Sequence, residues 1–407
     1  MRSFRIGSAF GIPIEVDLTF LIVLPLFAYI IGAQVGTWVG ILNDTIGAGL
    51  SVAPFTGGWF PYVLGVVAAV GLFVGVVLHE LGHSLVAMRF GYPIASITLW
   101  LFGGVAQFSE MPEDWRQELS IAVAGPAVSV LLGVASYLAF LAVPATGGLA
   151  LASVKFLFGY LALMNVVLAG FNLLPGFPMD GGRVLRALLA RSRPYAQATQ
   201  IAAEVGKLFA FVLGIFGLFG GGGLFLVAIA FFIYIGASSE AQQTMTKAAF
   251  EGVAVDDVMT PAAEVSTVPA DASVAELVEQ MFRERHTGYP VVDHGDVVGV
   301  VTLEDAREIE EVERDAYRVE EIMSRDLHVI ASDDDAMTAF TRMQQEGVGR
   351  LLVMAGGEDG EFVGLLTRTD LMTALDIIRT SGSLDVGRDQ ASATGGAPRP
   401  GGPGGRI

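Results

Sequence analysis

Two histidines stand four residues apart, His79 and His83, in the run VVLHELGHSLVA. On a helix that spacing puts both imidazoles on one face, one turn apart, where they can share one metal ion. Glu80 beside them is placed to take the proton of a water that such a metal activates, since zinc brings the pKa of water to about 7. A catalytic zinc needs a further protein ligand and one open position. A chance HExxH pattern in a water-soluble helix would mean little. Here the three ionisable groups lie inside a long apolar run, where such groups are costly unless they are paired or functional.

The third ligand is sought where the chain breaks a membrane-depth helix. FNLLPGFPMDGGRVLRALL (171–189) carries Pro175, Pro178, Gly181 and Gly182, and irregular backbone at that depth is tolerated only when it lines protein. Asp180 is the one carboxylate in the break, and its alternative role is to cap the helix that follows.

Apolar runs able to cross roughly 30 Å of hydrocarbon occur near 17–34, 61–90, 117–143, 151–174, 199–219 and 222–238, six candidate spans. Taken as six crossings, they place Arg2, Arg5, Arg89, Arg116, Arg183, Arg186, Arg191, Arg193, Lys207 and Lys247 on one side and only Lys155 on the other. The positive-inside rule then sets both termini in the cytoplasm and brings the second and fourth spans, hence His79, His83 and Asp180, to the same cytoplasmic depth. Residues 93–108 (PIASITLWLFGGVAQF) are β-branched and aromatic around Gly103-Gly104, which predicts a short β-ribbon.

The chain is 53% hydrophobic and yet carries a net charge of −18. Residues 1–247 hold 11 acidic and 11 basic side chains, so the whole excess falls after 247. An apolar neutral body is followed by an acidic soluble part. That acidity argues against nucleic-acid binding, and with only three lysines (Lys155, Lys207, Lys247) it points to a salt-filled, halophilic cytoplasm. No cysteine is present, which excludes disulfides and thiolate metal sites, and no cleavable signal is expected at the N-terminus.

Beyond a linker expected at 239–252 two units of about 60 residues repeat, near 255–312 and 319–378. Each opens on an acidic segment ending in Met (VDDVMT at 255–260, VEEIMS at 319–324) and closes on Gly-apolar-apolar-Thr-x-x-Asp (GVVTLED at 299–305, GLLTRTD at 364–370). His286 and His294 are read as surface residues, and the Gly/Ser/Pro-rich stretch 381–407 as disordered.

HELGH at 79–83, FGG at 102–104, AlaGlyPro at 124–126 and Asn-x-x-Pro-x-x-Pro-x-Asp-Gly-Gly at 172–182 follow one another in an order that resembles the site-2 protease family of intramembrane zinc metalloproteases. The resemblance implies His79, His83 and Asp180 as ligands of one Zn2+, Glu80 as base, and Asn172 as a group holding the substrate or its oxyanion. Met179 stands where Leu is usual, and Ser129 where Asn is common, so Ser129 receives no role. AlaGlyPro reads as a helix-packing spot of small residues. The two repeats resemble a tandem pair of CBS domains. That implies adenosine nucleotide (ATP or AMP) held by Thr302 and Asp305 in one repeat and Thr367 and Asp370 in the other, with Arg350 and Arg368 nearby to offset phosphate charge. Thr and Asp at these positions would also serve as plain helix caps.

The expected architecture is a polytopic α-helical membrane protein, with about six transmembrane helices and a short β-ribbon, plus a soluble α/β tandem CBS domain. Residues 1–247 form the membrane zinc protease unit and 248–380 the CBS pair. The expected activity is hydrolysis of peptide bonds in or near transmembrane segments of other proteins, with the lipid bilayer as setting, a possible homodimer through the CBS pair and nucleotide as regulator. A helical substrate must unwind locally, and the free edge of the ribbon offers it a strand to pair with. Two other classes compete: a CBS-gated membrane transporter, and a proteolytically inactive membrane scaffold. Metal content separates the first from a protease, and a cleavage assay the second.

Overall fold

The computed structural model describes residues 3–101, 103–108, 112–144, 147–221, 223–357 and 360–381. It divides into two compact units, Met1–Thr244 and Met245–Ile407. The expected disorder of 381–407 falls almost wholly outside the described residues.

The first unit opens with a hairpin that sequence reading passes over. Strands β1 (Ser3–Ala9) and β2 (Ile12–Asp17) turn through Phe10 and Gly11, both at positive φ, as a two-residue hairpin requires. The expected ribbon forms as β3 (Ile94–Trp100) and β4 (Gly103–Phe108), and β2 runs parallel to β3, so one four-stranded sheet results in the order β1-β2-β3-β4. Ile12, Ile97 and Ala106 on this sheet pack against Leu81 of the helix that carries the two histidines.

The helices of this unit are α1 (Phe20–Ala33), α2 (Val35–Ile46), α3 (Phe60–Arg89), α4 (Trp115–Ala142), α5 (Leu149–Asn172), α6 (Asp180–Ala190), α7 (Tyr195–Phe219) and α8 (Gly223–Phe250). Five of them (α3, α4, α5, α7, α8) are long and apolar enough to cross a bilayer. The expected first span differs: 14 residues of α1 reach only about 21 Å, and α1 meets α2 at a 68° bend, so this span is complete only if the bent pair counts as one. Two expectations need correction. The linker expected at 239–252 is helical as far as Phe250, because its Ala, Gln, Met and Lys are good helix formers. Lys207, counted among the cytoplasmic connections, lies within α7 and pairs with Glu204 at 2.9 Å.

In the second unit the chain continues through α9 (Val255–Val258), β5 (Thr260–Pro261), β6 (Val268–Pro269), α10 (Val274–Glu284), β7 (Gly288–Asp293), β8 (Asp296–Thr302) and α11 (Leu303–Arg307). The second repeat follows with α12 (Val319–Ile322), β9 (Val329–Ala331), α13 (Ala336–Glu346), β10 (Arg350–Ala355), β11 (Glu361–Thr367) and α14 (Arg368–Ser381). Each repeat builds its own sheet, and each lends its opening segment to the other. β5 of the first pairs with β11 of the second, and Ser324 at the start of the second bridges to Val300 in β8. The repeated Met and Gly now have a reason. Met323 seats over Gly299, and Met259 over Gly364, where a Cβ would come within 2.4 and 2.7 Å of the sulfur. His286 and His294 are exposed, as expected.

Lys155, the one basic residue expected outside, is buried in α5. Its Nζ donates to the carbonyls of Val143 (2.6 Å) and Phe140 (3.3 Å) and lies over the Phe140 ring, closing the C-terminal end of α4. Lys155→Met removes this cap while keeping the stem. It is expected to lower stability by about 1–3 kcal/mol, read as a lower unfolding midpoint in detergent.

Candidate functional sites

The metal-ligand candidates meet. α3 supplies His79 and His83, and α6 begins at Asp180, immediately after the Pro/Gly break. His79 Nε2 and His83 Nε2 each lie 3.1 Å from Asp180 Oδ2 and 3.2 Å from one another, and all three residues are buried. Ligand atoms around a tetrahedral zinc at 2.0–2.1 Å stand about 3.3 Å apart, so the triangle has the size of one face of such a tetrahedron. The N-cap position falls to Met179, and no side chain caps α6, so Asp180 is free of the capping role weighed against it.

The groups behind the ring nitrogens decide what these atoms can do. His83 Nδ1 lies 2.7 Å from the carbonyl of Ile121, an acceptor only, so Nδ1 carries the proton and Nε2 presents a lone pair. His79 Nδ1 lies 2.8 Å from Ser129 Oγ, a hydroxyl that can accept the ring's proton or donate its own, so this contact orients the ring. A lone pair on His83 Nε2 and an Asp180 carboxylate oxygen 3.1 Å apart inside an apolar bundle repel, unless a cation lies between them. The residues fit a metal ion.

Ser129 is thus a residue that sequence reading missed. Ile121, Gly125 and Ser129 recur every four residues along one face of α4, and this face backs both histidines. AlaGlyPro is more than a packing spot. A Cβ on Gly125 would come 2.2 Å from His83 Nε2 and 2.7 Å from His79 Nε2, so Gly125 leaves room beside the candidate ligand atoms themselves.

Glu80 lies half-buried with no hydrogen bond to its carboxylate from any described residue. Backbone of β4 crosses it: a Cβ on Gly104 would reach 2.7 Å from Glu80 Cγ. β4 is an edge strand. Asn172, the last residue of α5, makes no hydrogen bond to the triad, and its Nδ2 donates to the Leu168 carbonyl at 3.0 Å.

In the second unit a cavity of about 450 Å³ opens between the repeats. Thr302 and Asp305 line it, together with Asp326, His328 and Arg350 from the second repeat. Both predicted Thr/Asp pairs are helix caps. The Thr302 hydroxyl donates to Asp305 Oδ2 (2.7 Å), and Thr367 does the same to Asp370 (2.7 Å). Thr367 and Asp370 are not among the residues lining this cavity, so the structure brings only the first pair to it. The two arginines also part. Arg368 donates to the Val348 carbonyl, whereas no described residue hydrogen-bonds the Arg350 guanidinium. Burial holds Arg350 below its ordinary pKa, with Asp305 acting in the opposite sense. A half-desolvated cation faces the cavity with spare donors.

Comparison with known proteins agrees with this division. The family model described as peptidase family M50 matches residues 67–149 and 141–213, and the CBS domain model matches 255–311 and 319–377. A zinc metalloprotease of Methanocaldococcus jannaschii is 33% identical over 382 residues, 94% of this chain and 98% of that one. The Mycobacterium tuberculosis protein Rip3 is 33% identical over 92% of this chain and 93% of its own length. Among solved structures, a site-2 protease from Methanocaldococcus jannaschii is 35% identical, covers 59% of this chain and 95% of that one, and superposes with a TM-score of 0.39.

A methyl group at position 125 would occupy the space beside both ligand nitrogens. Gly125→Ala is expected to purify with less than about a tenth of the wild-type metal content by elemental analysis, since ligand distances must hold to within about 0.2 Å.

Proposed function

The chain belongs to peptidase family M50, the site-2 proteases, and from that membership we propose that it hydrolyses peptide bonds in or beside transmembrane segments of other membrane proteins, with one Zn2+ held by His79, His83 and Asp180. The observation that carries this reading is the triangle of Nε2, Nε2 and Oδ2 with both Nδ1 atoms turned to outside partners. Zinc, when bound, lowers the pKa of water to about 7 and polarises a carbonyl oxygen. Glu80 takes the proton of the attacking water and returns it to the leaving amine; its uncommitted carboxylate beside the triad supports that role. Asn172, whose Oδ1 accepts from no described residue, contacts the substrate.

The substrate is extended when it is cut. A helical segment hides its amides in its own hydrogen bonds, whereas a strand added to the edge of β4 would run past Glu80 at Gly104. Both termini face the cytoplasm, the side that gathers Arg5, Arg89, Arg116, Arg183, Arg186, Arg191, Arg193 and Lys247, and the acidic second unit suits a cell of high internal salt. There the CBS pair takes an adenosine nucleotide in the cavity between its repeats, with Arg350 on the phosphate. Exposed Phe282 and Val312 support pairing of two chains through this unit.

Glu80→Gln keeps the shape of the base but cannot accept a proton. Cleavage of co-expressed single-span membrane proteins is expected to fall by about 10²–10⁴-fold, with zinc content unchanged; undiminished cleavage would put the base elsewhere. For the cavity, calorimetry of the full chain in detergent and high salt should give heats with AMP or ATP that weaken at least about tenfold in Arg350→Ala, the loss of one charge-assisted contact. Equal binding by the variant, or none by wild type, would leave the pair a structural module.

A further inference from the structure

Arg186 is, among the described residues, the largest side chain that is fully buried, at 1% exposure. It stands on α6, six residues after Asp180. Its Nε donates to Glu118 Oε1 at 2.6 Å, and Nη2 lies 2.5 Å from the same oxygen. Nη1 donates to Glu240 Oε1 on α8. The rings of Phe177, in the break before Asp180, and of Tyr195, at the start of α7, lie 4.9 and 4.8 Å from the guanidinium. One planar cation therefore ties α4, α7, α8 and the Pro/Gly break to the short helix that begins with Asp180.

Nothing in helix packing alone calls for this. Apolar contacts would hold α6 against α4 at less desolvation cost, because buried ion pairs seldom add stability over well-packed apolar side chains. What the rigid guanidinium adds is direction, since Nε and Nη2 meet one Glu118 oxygen while Nη1 meets Glu240, at positions set by one plane. The helix it fixes is the one that matters. Counting along α4 from Glu118, the next residues on that side are Ile121, whose carbonyl holds His83, then Gly125 and Ser129. α4 thus orients both histidines, α6 carries the carboxylate, and Arg186–Glu118 is the polar tie between them.

We propose that Arg186 is a positioning residue of the proteolytic site: its cluster with Glu118 and Glu240 sets the register of α6 against α4 and so holds Asp180 Oδ2 at ligand distance from the two imidazoles. This rests on the reading of Asp180 as a zinc ligand. No atom of Arg186 is asked to touch the substrate or the metal.

Arg186→Lys keeps the charge and loses the fork. Its zinc affinity, measured by competition with a chromophoric chelator, is expected to fall about 10–100-fold, the usual effect of removing a group that orients a ligand. The visible absorption bands of the Co2+-loaded variant should shift, while the metal-free variant keeps the unfolding midpoint of metal-free wild type to within a few degrees. Should Arg186→Lys fail to fold, the apolar triple Glu118→Leu, Arg186→Met, Glu240→Leu replaces the whole cluster and is expected to fold with the same loss of affinity. Wild-type affinity and an unchanged Co2+ spectrum in whichever variant folds would overturn the proposal and leave Arg186 a scaffold residue. Asp180→Ala, measured in parallel, separates the two claims. If it retains wild-type zinc affinity, the ligand assignment fails; if it loses zinc while the Arg186 variants do not, only the positioning role fails.

Discussion

Lone pairs that converge inside an apolar bundle repel, and the arrangement of the first unit follows from that fact. His79 Nε2, His83 Nε2 and Asp180 Oδ2 point to one place, and each is held there from behind or alongside by another helix. α3 brings the imidazoles, α4 orients them through the Ser129 hydroxyl and the Ile121 carbonyl, and the break before α6 delivers the carboxylate. Without bulk water at this depth, each polar group needs a protein partner or a bound ion. Exposed positions on the long helices, such as Val66, Leu131 and Leu138, are apolar.

The same constraint explains what could be read from residue order. The i, i+4 histidines and the single carboxylate in the Pro/Gly break were legible because their chemistry is out of place in apolar sequence. Ser129 was not. A serine in a membrane helix is unremarkable by type, and only its alignment with Ile121 and Gly125 on one face of α4 marks it. The N-terminal hairpin escaped for a similar reason: its alternation of Phe4, Ile6 and Ser8 is short, and the two-residue turn at Phe10-Gly11 is a weak signal beside a long apolar run. Polar composition suggested a linker at 239–252, where local helix propensity in fact carries α8 on to Phe250. In the second unit the duplicated Thr-x-x-Asp was plain, but duplication of sequence did not mean equal surroundings. Only Thr302 and Asp305 meet the cavity that Arg350 faces.

The interlocked openings of the two repeats carry a consequence for how the protein is made. β5, near residue 260, finds its partner in β11, a hundred residues later, and Phe250 and Val253 are buried with Leu351, Leu366 and Leu371 of the second repeat. A ribosome adds roughly 5–20 residues each second, so the end of α8 waits on the order of ten seconds for the side chains that will cover it. Throughout that wait all three candidate metal ligands, 80 or more residues upstream of β5, have already left the ribosome. The three candidate ligands can therefore come together before the second unit has folded, and each newborn chain passes through an interval in which any restraint exerted by the CBS pair is not yet in force.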